Sequence, residues 1–583
     1  MTAAIYYHPE AYTTSGPKLM GRNAAGESFL RGFLTHSQTT EFWAQVQNMD
    51  HAKHFAQTVQ SFARPEPVKA VDKNSMPALA EVGMVYYPGP GIGEHAFHRA
   101  LAGAAGVAGK STNPHTAWSL CGITHTTSSA GAMDALANLI TAPVQPWDAV
   151  ICTSTAVKNN VERLLQAQVN YLQERLGVSK LSLPLLPVIP LGIHTQDFVF
   201  SDLQKSEARQ AIGADSNTLV VLFMGRLSFH AKAHPLAMYQ ALQRAAQSAK
   251  LQGQKVVLVE CGWHANEFID KAYQEAAKLA CPDVRVITLD GRKASDRETA
   301  WASADVFCSL SDNIQETFGI VPIEAMAAGL PVVVSDWDGY KDTVRNEVDG
   351  YRIPTIMPAA GMAADLAYRH ALEIDNYDMH CGHTCSLVAV DVQVAALAFE
   401  KLFTFAGLRN SMGQAGRKRA QSVYDWSVII PQYEALWAEQ TRLRLLGQKE
   451  SLGKKVALAH PWPARMDPFV AFASYPSHRL TENTLVVLSS ESADLKTDTL
   501  AKEQAIQKVE AYRQLSMVSF AKQVLPSPEE VKQIIFNSSG TPQRAIEMLK
   551  GIEVQRQAFV FRSLTWLMKL GVLSLAPEVK ASS

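Results

Sequence analysis

Two glutamates lie in a stretch whose pattern places them around the start of one helix. Glu316 and Glu324 belong to SLSDNIQETFGIVPIEAMAAGLPVVVSDWDGY, residues 309–340, in which a buried strand is predicted to end near Ser309. A loop follows, and then a helix that tolerates Pro322 in its first turn. The unpaired N–H groups and the dipole at the start of such a helix suit an anion. Two glutamates at this spacing are common by chance, so the strand–loop–helix context is what indicates a functional site.

Two cations follow an earlier predicted strand in a similar way. The stretch TLVVLFMGRLSFHAKAHP, residues 218–235, predicts a buried strand that leads into Gly225, and Arg226 and Lys232 come after it. An arginine can hold a diphosphate bidentately, and a lysine acts on it as a point charge. Taken alone, the same residues also fit a solvated turn with ordinary surface charges.

Composition bounds the class of protein. The chain has 583 residues, of which 47% are hydrophobic, and a formal net charge of −1. These values indicate a folded chain of several domains, and the charge argues against a dedicated nucleic-acid binder. The seven scattered cysteines indicate reduced thiols rather than a disulfide framework. We expect a cytoplasmic protein, because the start MTAAIYYHPEAY lacks a signal-peptide pattern and no apolar run reaches about 18 residues.

Short apolar runs alternate with helical patterns as far as about residue 440. Such alternation predicts doubly wound parallel sheets with right-handed crossovers. The predicted fold class is α/β, with two Rossmann-like lobes that face a cleft and a mainly α-helical C-terminal extension. Ligands of these folds bind beyond the carboxyl ends of the strands, which here means the cleft. The candidate strands are Gly83–Tyr87, Ala149–Thr153, Leu185–Pro190, Thr218–Met224, Lys255–Glu260, Val284–Asp290, Asp305–Ser309 and Pro331–Asp336.

The same pattern predicts the order of the domains. The expected parts are a first Rossmann-like lobe over 1–200, a second over 201–425, a helix crossing back over 426–445, a linker or extended packing segment over 446–498, and a helical extension over 499–583. Within the last two parts, helical patterns cover 499–524, 527–537 and 541–575.

Residues 218–440 resemble glycosyltransferase family 4, retaining enzymes of the glycosyltransferase B fold that use nucleotide-activated sugars. The Glu-x7-Glu element of that family is similar to the segment from Glu316 to Glu324. Its Gly-Arg-Leu…Lys element is similar to the segment from Gly225 to Lys232, although the spacing from Arg226 to the lysine is one residue longer. Weaker similarity in the first lobe extends the resemblance to about three quarters of the chain.

The resemblance implies that the lobe over 1–200 is the acceptor side and that the lobe over 201–425 binds the nucleotide-sugar. It also implies roles for these residues. Arg226 and Lys232 would neutralise the donor diphosphate, Glu316 would contact the donor sugar, and Glu324 would hold the nucleotide ribose. Backbone groups after Glu316 would bind phosphate or sugar oxygens, and those near residues 289–292 would contact the base. The donor-binding residues implied in this way are Glu324, Thr317, Phe318, Gly319, Ile320, Val321, Gly225, Gly291 and Arg292.

The first lobe offers further candidates by the same resemblance. The loop SGPKLMGRNAAGESFLRGF is similar to the glycine-rich loop of the family, which approaches the donor phosphate or the acceptor. Its candidate residues are Gly16, Lys18, Gly21 and Arg22. The alternative is an ordinary glycine-rich loop.

Histidines that follow first-lobe strands are candidates as well. His125 comes at the end of a predicted strand, where family members often carry a histidine that touches the donor sugar, and we count it as a catalytic candidate. A purely structural histidine is the alternative. In PGPGIGEHAFHR, His95 and His98 are candidates for shaping the acceptor pocket.

Two patterns resemble metal sites, but we assign no metal. The triplet from Asp336 to Asp338 matches the Asp-x-Asp of a different glycosyltransferase fold, and its position after a strand favours a turn. The cluster HCGHTC, residues 380–385, has ligand types suited to zinc but crowded spacing. Its alternative is an ordered insertion near the donor cleft; the four possible ligands are His380, Cys381, His383 and Cys385.

The predicted function is a metal-independent, retaining transfer of a sugar from a nucleotide-diphosphate-sugar, with no cofactor. The acceptor is open between a carbohydrate, a lipid-linked sugar, a small molecule and a protein. We expect no nucleic-acid partner and no stable membrane insertion, and we expect the extension to pack on the lobes or to mediate self-association. The alternatives are a sugar phosphorylase or hydrolysing epimerase on the same fold, and a catalytically silent two-lobed binding protein that recruits a partner through its C-terminal helices.

Overall fold

A computed structural model of the chain describes residues 2–13, 21–72, 75–103, 113–451, 462–489 and 498–576. The chain forms two compact units, Met1–Pro463 and Ala464–Ser583. The larger unit contains both predicted lobes.

The first lobe is built on a parallel sheet with the strand order β3-β2-β1-β4-β5-β6. The order reverses between β1 and β4, which is where a doubly wound sheet opens a crevice at its carboxyl edge. The strands are β1 (Ala4–Tyr6), β2 (Phe42–Val46), β3 (Val68–Asp72), β4 (Met84–Tyr86), β5 (Ser119–Ile123) and β6 (Ala149–Ile151). The helices are α1 (Gly21–His36), α2 (Met49–Ser61), α3 (Met76–Val82), α4 (Ile92–Ala100), α5 (Ala130–Thr141) and α6 (Thr155–Leu176).

The second lobe repeats this plan with the order β12-β11-β10-β7-β8-β9, again all parallel. Every residue of the β7 run TLVVLFM is buried, as expected of a strand covered by helices on both faces. The strands are β7 (Thr218–Met224), β8 (Lys255–Gly262), β9 (Arg285–Asp290), β10 (Val306–Ser309), β11 (Val332–Ser335) and β12 (Gly350–Ile353). The helices are α7 (Asp202–Ala211), α8 (Leu236–Leu251), α9 (Glu267–Ala280), α10 (Ala294–Ser303), α11 (Ile320–Ala327) and α12 (Tyr340–Thr343).

After β12 the chain makes a helical excursion closed by two short antiparallel strands, β13 (Thr355–Ile356) and β14 (Ala389–Val390). Between them lie α13 (Ala364–Ala371) and α14 (Tyr377–Cys385), and we call residues 357–388 the insertion. The chain continues through α15 (Val392–Thr404), α16 (Ala406–Arg419), a π-helical turn and α17 (Trp426–Glu450).

The helix α17 returns to the first lobe, and its first residue, Trp426, secures it there. A Cβ on Gly32 or on Gly192 would lie 2.5 Å from an atom of the Trp426 side chain, so both glycines leave room for it. The indole Nε1 donates to the Ser28 hydroxyl at 2.8 Å. Just before it, the two chain crossings between the lobes pair with each other, since Ile193 N donates to the carbonyl of residue 424 at 2.8 Å.

This architecture confirms the predicted two-lobed α/β fold, with differences in detail. The crossing helix runs five residues beyond the predicted 426–445, to Glu450. The stretch 185–190 forms only isolated bridges to residues 149 and 152 instead of a named strand. The strands β2, β3 and β12 were not among the candidates, because FWAQV, VKAVD and GYRI mix polar and apolar residues.

The smaller unit combines a three-stranded antiparallel sheet with helices. Its central strand β15 (Leu485–Leu488) lies within the predicted linker 446–498, and β17 (Leu573–Leu575) lies within the predicted helical stretch 541–575, so both expectations are corrected. Runs of three or four residues are too short to show a strand period in sequence. The other elements are α18 (Pro468–Ala471), α19 (Asp498–Arg513), α20 (Ser516–Ser519), α21 (Pro528–Asn537), β16 (Gln543–Arg544), α22 (Val554–Arg562) and α23 (Leu564–Lys569).

Each unit has its own apolar core. In the smaller unit one cluster brings together β15, α21 and α23 through Val486, Ile534 and Leu567. Among the described helices of the whole chain, none has both the length and the apolar character that crossing a bilayer requires.

Candidate functional site

The predicted site residues meet where the strand order of the second sheet reverses, between β7 and β10. One loop, residues 225–233, leaves the carboxyl end of β7, and the other, residues 310–319, leaves the carboxyl end of β10. We call them the cation loop and the glutamate loop. A switch point of this kind is the expected ligand site of a doubly wound sheet.

Three glycines form the floor beside the cation loop. Gly225 has a φ of +145°, which a residue with a side chain rarely adopts. A Cβ on Gly262 would lie 1.9 Å from the carbonyl oxygen of Gly225, and a Cβ on Gly291 would lie 2.9 Å from Cα of Gly262. The backbones at the ends of β7, β8 and β9 therefore approach each other as only glycine allows.

The two predicted cations are held by the two loops. Arg226 donates through Nη2 to the carbonyl of Ala231 at 2.7 Å and to Oε1 of Gln315 at 3.2 Å. Lys232 Nζ lies 2.6 Å from Oε2 of Glu316. The additional residue between the two cations is taken up by a turn in which Lys232 N donates to the carbonyl of Ser228 at 3.0 Å. The longer spacing thus leaves the lysine beside the glutamate.

Glu316 is ionised at neutral pH in this arrangement. Burial acts to raise the pKa of its carboxyl, but the Lys232 ammonium and the backbone N–H groups of Thr317 and Phe318 outweigh it, so that the pKa lies below its ordinary value. The side chain is 9% exposed and that of Lys232 is 24% exposed. The carboxylate is therefore a fixed acceptor with donors on several sides.

Asn313 joins the two loops, and the sequence analysis missed it. Its buried side chain donates through Nδ2 to the carbonyl of His230 at 3.0 Å and accepts from the backbone N–H of Gln315 at 3.0 Å. Its own carbonyl accepts from Trp337 Nε1 at 3.0 Å. An asparagine in a loop signals only a turn in sequence, so nothing marked this one as a link between loops.

The helix α11 starts at the glutamate loop in a strained geometry. Gly319 has a φ of +78°, and a Cβ there would lie 1.9 Å from Cε1 of Tyr340. In the part of the chain that the structure describes, the backbone N–H groups of Gly319, Ile320 and Val321 have no hydrogen-bond acceptor. Donors of this kind at a helix start are suited to phosphate oxygens.

Glu324 lies one turn into α11 and is half-buried. Burial raises the pKa of its carboxyl to about 7, the nearby Arg297 lowers it, and Asp197 raises it further. Unlike Glu316, this carboxyl is shared between its protonated and ionised forms at neutral pH.

The two residues expected near the base, Gly291 and Arg292, make different contacts. Gly291 belongs to the glycine floor, and its N–H donates to the carbonyl of Gly262 at 2.9 Å. The exposed Arg292 is engaged by Asp290, with Nε 2.8 Å from Oδ1 and Nη2 2.9 Å from Oδ2. This ion pair turns the guanidinium toward the end of β9.

The first lobe contacts the glutamate loop directly. The hydroxyl of Thr317 donates to the carbonyl of His125 at 3.3 Å, and that of Thr153 donates to the carbonyl of Thr317 at 3.2 Å. His125 thus lies where the lobes meet, and its backbone is the group that makes this contact.

Asp338 also lies at the meeting of the lobes. It accepts from the hydroxyl of Ser154 at 3.0 Å, and its neighbour Asp342 accepts from the backbone N–H of Thr155 at 2.6 Å, so that both carboxylates face the start of α6. Burial and the charge of Glu316 raise the pKa of Asp338 to about 7. Its φ of +39° is unusual for a residue with a side chain. The triplet is a turn, as the sequence favoured, but the analysis missed the contact of its second carboxylate.

The remaining first-lobe candidates are only partly described. Gly16 and Lys18 lie outside the described residues, while Gly21 and Arg22 form the start of α1. His95 stacks on Tyr87 with ring centroids 3.8 Å apart, and burial lowers the pKa of its imidazole to about 3.

The cluster at 380–385 forms most of α14 inside the insertion. His383 Nδ1 lies 2.9 Å from Asp375, the rings of His380 and His370 stack at 4.0 Å, and both cysteines are buried. Within the described ranges, no group of three or more His, Cys, Asp or Glu residues could hold a metal ion.

Comparison with known proteins finds a family model that matches part of the second lobe. Residues 204–366 match the family model described as glycosyl transferases group 1, and the segment contains both loops and Glu324. The chain is 27% identical over 265 residues to a D-inositol 3-phosphate glycosyltransferase of Mycolicibacterium vanbaalenii, which is 43% of this chain and 53% of that protein. It is 31% identical over 149 residues to an uncharacterized glycosyltransferase of Methanocaldococcus jannaschii, which is 25% of this chain and 35% of that protein.

These matches span about a third to a half of the length of the curated relatives. Among solved structures, the crystal structure of Anabaena HepE in complex with UDP and glucose is 15% identical, and the alignment covers 75% of this chain and 100% of that chain with a TM-score of 0.46.

Proposed function

We propose that this chain, whose second lobe contains a glycosyl transferases group 1 domain, transfers a sugar from a nucleotide-diphosphate-sugar to an acceptor bound at the first lobe. One observation carries the proposal: Lys232 and Glu316 are 2.6 Å apart beside Arg226, at the start of α11. A sugar diphosphate needs cations at its phosphates and a carboxylate at its sugar hydroxyls, and this pair supplies both from adjacent loops.

The positive groups act on the leaving group. When the bond between the anomeric carbon and the diphosphate oxygen breaks, negative charge grows on the diphosphate. Arg226 and Lys232 follow β7, and the start of α11 follows the neighbouring strand β10, so we propose that these positive groups stabilise that charge. Because these groups supply the positive charge, we propose that the transfer needs no bound metal ion.

Glu316 serves as an acceptor that orients the sugar. Its carboxylate is ionised and already accepts from Lys232 and from two backbone N–H groups, which weakens it as a nucleophile. We therefore propose front-face transfer, in which the acceptor oxygen bonds to the anomeric carbon on the side that the diphosphate leaves. The acceptor proton goes to a phosphate oxygen, and the anomeric configuration is retained.

Glu324 is proposed to accept hydrogen bonds from the nucleotide ribose, one turn further along α11. The names of the curated relatives describe glycosyltransferases, one of which is named for D-inositol 3-phosphate, and they support glycosyl transfer as the reaction class. For this chain the proposed acceptor classes are a carbohydrate, a lipid-linked sugar, a small molecule and a protein. Self-association through the smaller unit is part of the same proposal.

A thermal-shift panel with nucleoside diphosphates and nucleotide-sugars tests the donor site. A ligand that binds only the folded protein raises the melting temperature by mass action. We expect one nucleotide family to give a shift that Arg226→Ala and Glu324→Ala abolish, while Lys278→Ala, an exposed lysine on α9, keeps it. Absence of any shift at millimolar nucleotide, or a shift that both site variants keep, contradicts the proposal.

The stereochemistry is tested on the product. With the donor found in the panel, proton NMR of the transferred or hydrolysed sugar gives its anomeric configuration before mutarotation. Retention is expected, and inversion would contradict front-face transfer.

A further inference from the structure

The insertion, residues 357–388, is held together around one buried carboxylate. Asp375 accepts from Nε of Arg369 at 3.0 Å, from its Nη2 at 2.7 Å and from Nδ1 of His383 at 2.9 Å. These hydrogen bonds, first of all those from Arg369, hold the pKa of Asp375 at about 2. Asn376 caps α14 by accepting from the N–H of Met379 at 2.9 Å. The insertion is therefore an ordered element that is stabilised by hydrogen bonds among its own residues.

The helix α14 packs on the cation loop through residues near both of its ends. Gly382 allows close approach, because a Cβ there would lie 2.9 Å from Cβ of His230. The thiol of Cys385 donates to the carbonyl of Phe229 at 3.8 Å, and His230 Nε2 lies 3.9 Å from Asp378. The insertion thus supports the backbone of the loop that carries Arg226 and Lys232.

The first residue of α14 also contacts the first lobe. The hydroxyl of Tyr377 lies 3.4 Å from the hydroxyl of Ser128, which in turn lies 3.2 Å from that of Thr126. Ser128 is buried and follows β5 in the loop that also contains His125. The helix α14 therefore contacts both this loop and the cation loop.

We propose that Tyr377 is a positioning residue for glycosyl transfer. Its hydrogen bond with Ser128 fixes α14 to the first lobe, and α14 fixes the cation loop, so that the bond sets Arg226 and Lys232 relative to the acceptor-side lobe. The proposal rests on the proposed function in one respect, which is that these two cations bind the donor diphosphate.

The proposal separates donor binding from turnover. Arg226, Lys232 and Glu324 all belong to the second lobe, so a nucleoside diphosphate can bind without the contact between Tyr377 and Ser128. Transfer requires that the two lobes hold the donor and the acceptor in the correct relative position, so it depends on that contact. Loss of the hydroxyl should lower kcat and leave the nucleotide Kd unchanged.

A double-mutant cycle in the full chain makes this measurable. Tyr377→Phe and Ser128→Ala should each lower kcat about fivefold, the worth of one net hydrogen bond of about 1 kcal/mol. The loss of kcat in the double variant should be smaller than the product of the two single losses, because both substitutions remove the bond between Tyr377 and Ser128. Tyr368→Phe, which removes the hydroxyl of an exposed tyrosine on α13, is the matched control and should keep the kcat of the unaltered protein.

A second readout does not depend on activity. Hydrogen exchange of peptides covering 122–130 and 376–386 should become faster together in Tyr377→Phe and in Ser128→Ala, and stay unchanged in Tyr368→Phe. Unchanged exchange at 122–130 in Tyr377→Phe overturns the proposal. An unchanged kcat also overturns it. The same holds for a double variant whose loss of kcat equals the product of the two single losses, and for a loss of kcat that is accompanied by a similar loss of nucleotide affinity.

Failure of the proposed function has a different signature. A protein that binds no nucleoside diphosphate lacks the proposed donor site, and the claim for Tyr377 as a positioning residue falls with it. Faster hydrogen exchange of both peptides in the variants would then still indicate a link between the lobes, but that link would have no sugar transfer to support.

Discussion

At the residue scale, one of three carboxyls within the site differs from the other two in its charge at neutral pH. Glu316 is ionised because Lys232 and backbone donors hold the pKa of its carboxyl below the ordinary value, although burial acts in the opposite direction. Glu324 and Asp338 both have a pKa of about 7, raised first of all by burial. The negative charge of the site therefore increases through the neutral range, whereas Glu316 stays ionised.

The raised pKa of Glu324 gives nucleotide binding a pH dependence. Ribose hydroxyls donate best to the ionised carboxylate, and an acid whose folded pKa is about 7 gains that form as pH rises through 7. We expect the Kd for the nucleoside diphosphate to fall between pH 6 and pH 8 and to level off above. Isothermal titration calorimetry across that range measures it.

The control for this prediction is Glu324→Gln. The nucleotide's own phosphate also titrates near pH 6, and the amide variant retains that contribution while losing the carboxyl. A steeper fall in Kd for the unaltered protein than for the variant is expected. Equal slopes would show that Glu324 does not bind the ribose.

The residues that meet at the site were predictable because two short patterns place them. The strand ends fix Arg226 and Glu316 at neighbouring strands once the sheet is doubly wound, and the structure brings Lys232 to Glu316 despite the longer spacing. Asn313 and Asp338 were not predictable as functional residues, because a turn residue gives no sign of which distant backbone it contacts. Their contacts depend on long-range packing that no local pattern encodes.

At the scale of elements, the start of α11 depends on a glycine for two independent reasons. Gly319 needs a positive φ, and its missing side chain leaves room for the Tyr340 ring. We expect Gly319→Ala to lower the free energy of unfolding by about 2–4 kcal/mol, through strain and overpacking together. Chemical denaturation followed by circular dichroism measures it.

A matched substitution is available on α5. A Cβ on Gly131 would meet nothing within 4 Å, and this helical position has no positive φ. Gly131→Ala should leave stability unchanged or raise it by up to about 1 kcal/mol. Similar losses at both glycines would contradict the steric account of Gly319.

Long, uniformly apolar elements were predictable and short ones were not. The run of β7 is apolar at almost every position, so its burial on both faces could be predicted from sequence. The strand β15 has four residues and pairs with strands more than fifty residues away, so its place in a sheet depends on contacts between distant segments. The insertion was recognised only as the alternative to a zinc site, since its histidines and cysteines have ligand types but no local pattern shows what they pack against.

At the scale of the whole molecule, the two lobes of the larger unit touch through few polar contacts. Thr153, Ser154 and Ser128 make them from the first lobe through their hydroxyls. Two carboxylates of the second lobe take part: Asp338 accepts from Ser154, and Asp342 accepts from the N–H at the start of α6. Contacts of this kind are weak enough to break and reform during a catalytic cycle.

Removing the charge of Asp342 should loosen the contact between lobes. A carboxylate at a helix start contributes about 0.3–1 kcal/mol, so Asp342→Asn should speed hydrogen exchange in the first turn of α6 roughly two- to fivefold. Exchange measured by mass spectrometry on peptides that cover 153–160 tests it. Asp50→Asn, in the first turn of α2, is the control, and an equal change at 153–160 in both variants would contradict a contact specific to Asp342.

The two compact units lead to a prediction about truncation. The core clusters of the larger unit and that of the smaller unit share no residue, so a chain ending at Pro463 should keep its nucleotide affinity. Calorimetry on the truncated and full chains compares the two Kd values. Light scattering on the same samples should show that any self-association of the full chain is lost, and loss of nucleotide binding would contradict the independence of the larger unit.

The glycine floor has a consequence for how such a protein can change its donor. Gly225, Gly262 and Gly291 offer only main-chain atoms. A side chain on Gly262 or Gly291 would collide with the neighbouring backbone, and the φ of +145° at Gly225 is one that a residue with a side chain rarely adopts. Mutation at these positions therefore blocks the pocket instead of altering its preference. We expect substitutions that change the donor preference to occur in the first-lobe loops and in the insertion. The three glycines should stay the same among related proteins that use different sugars.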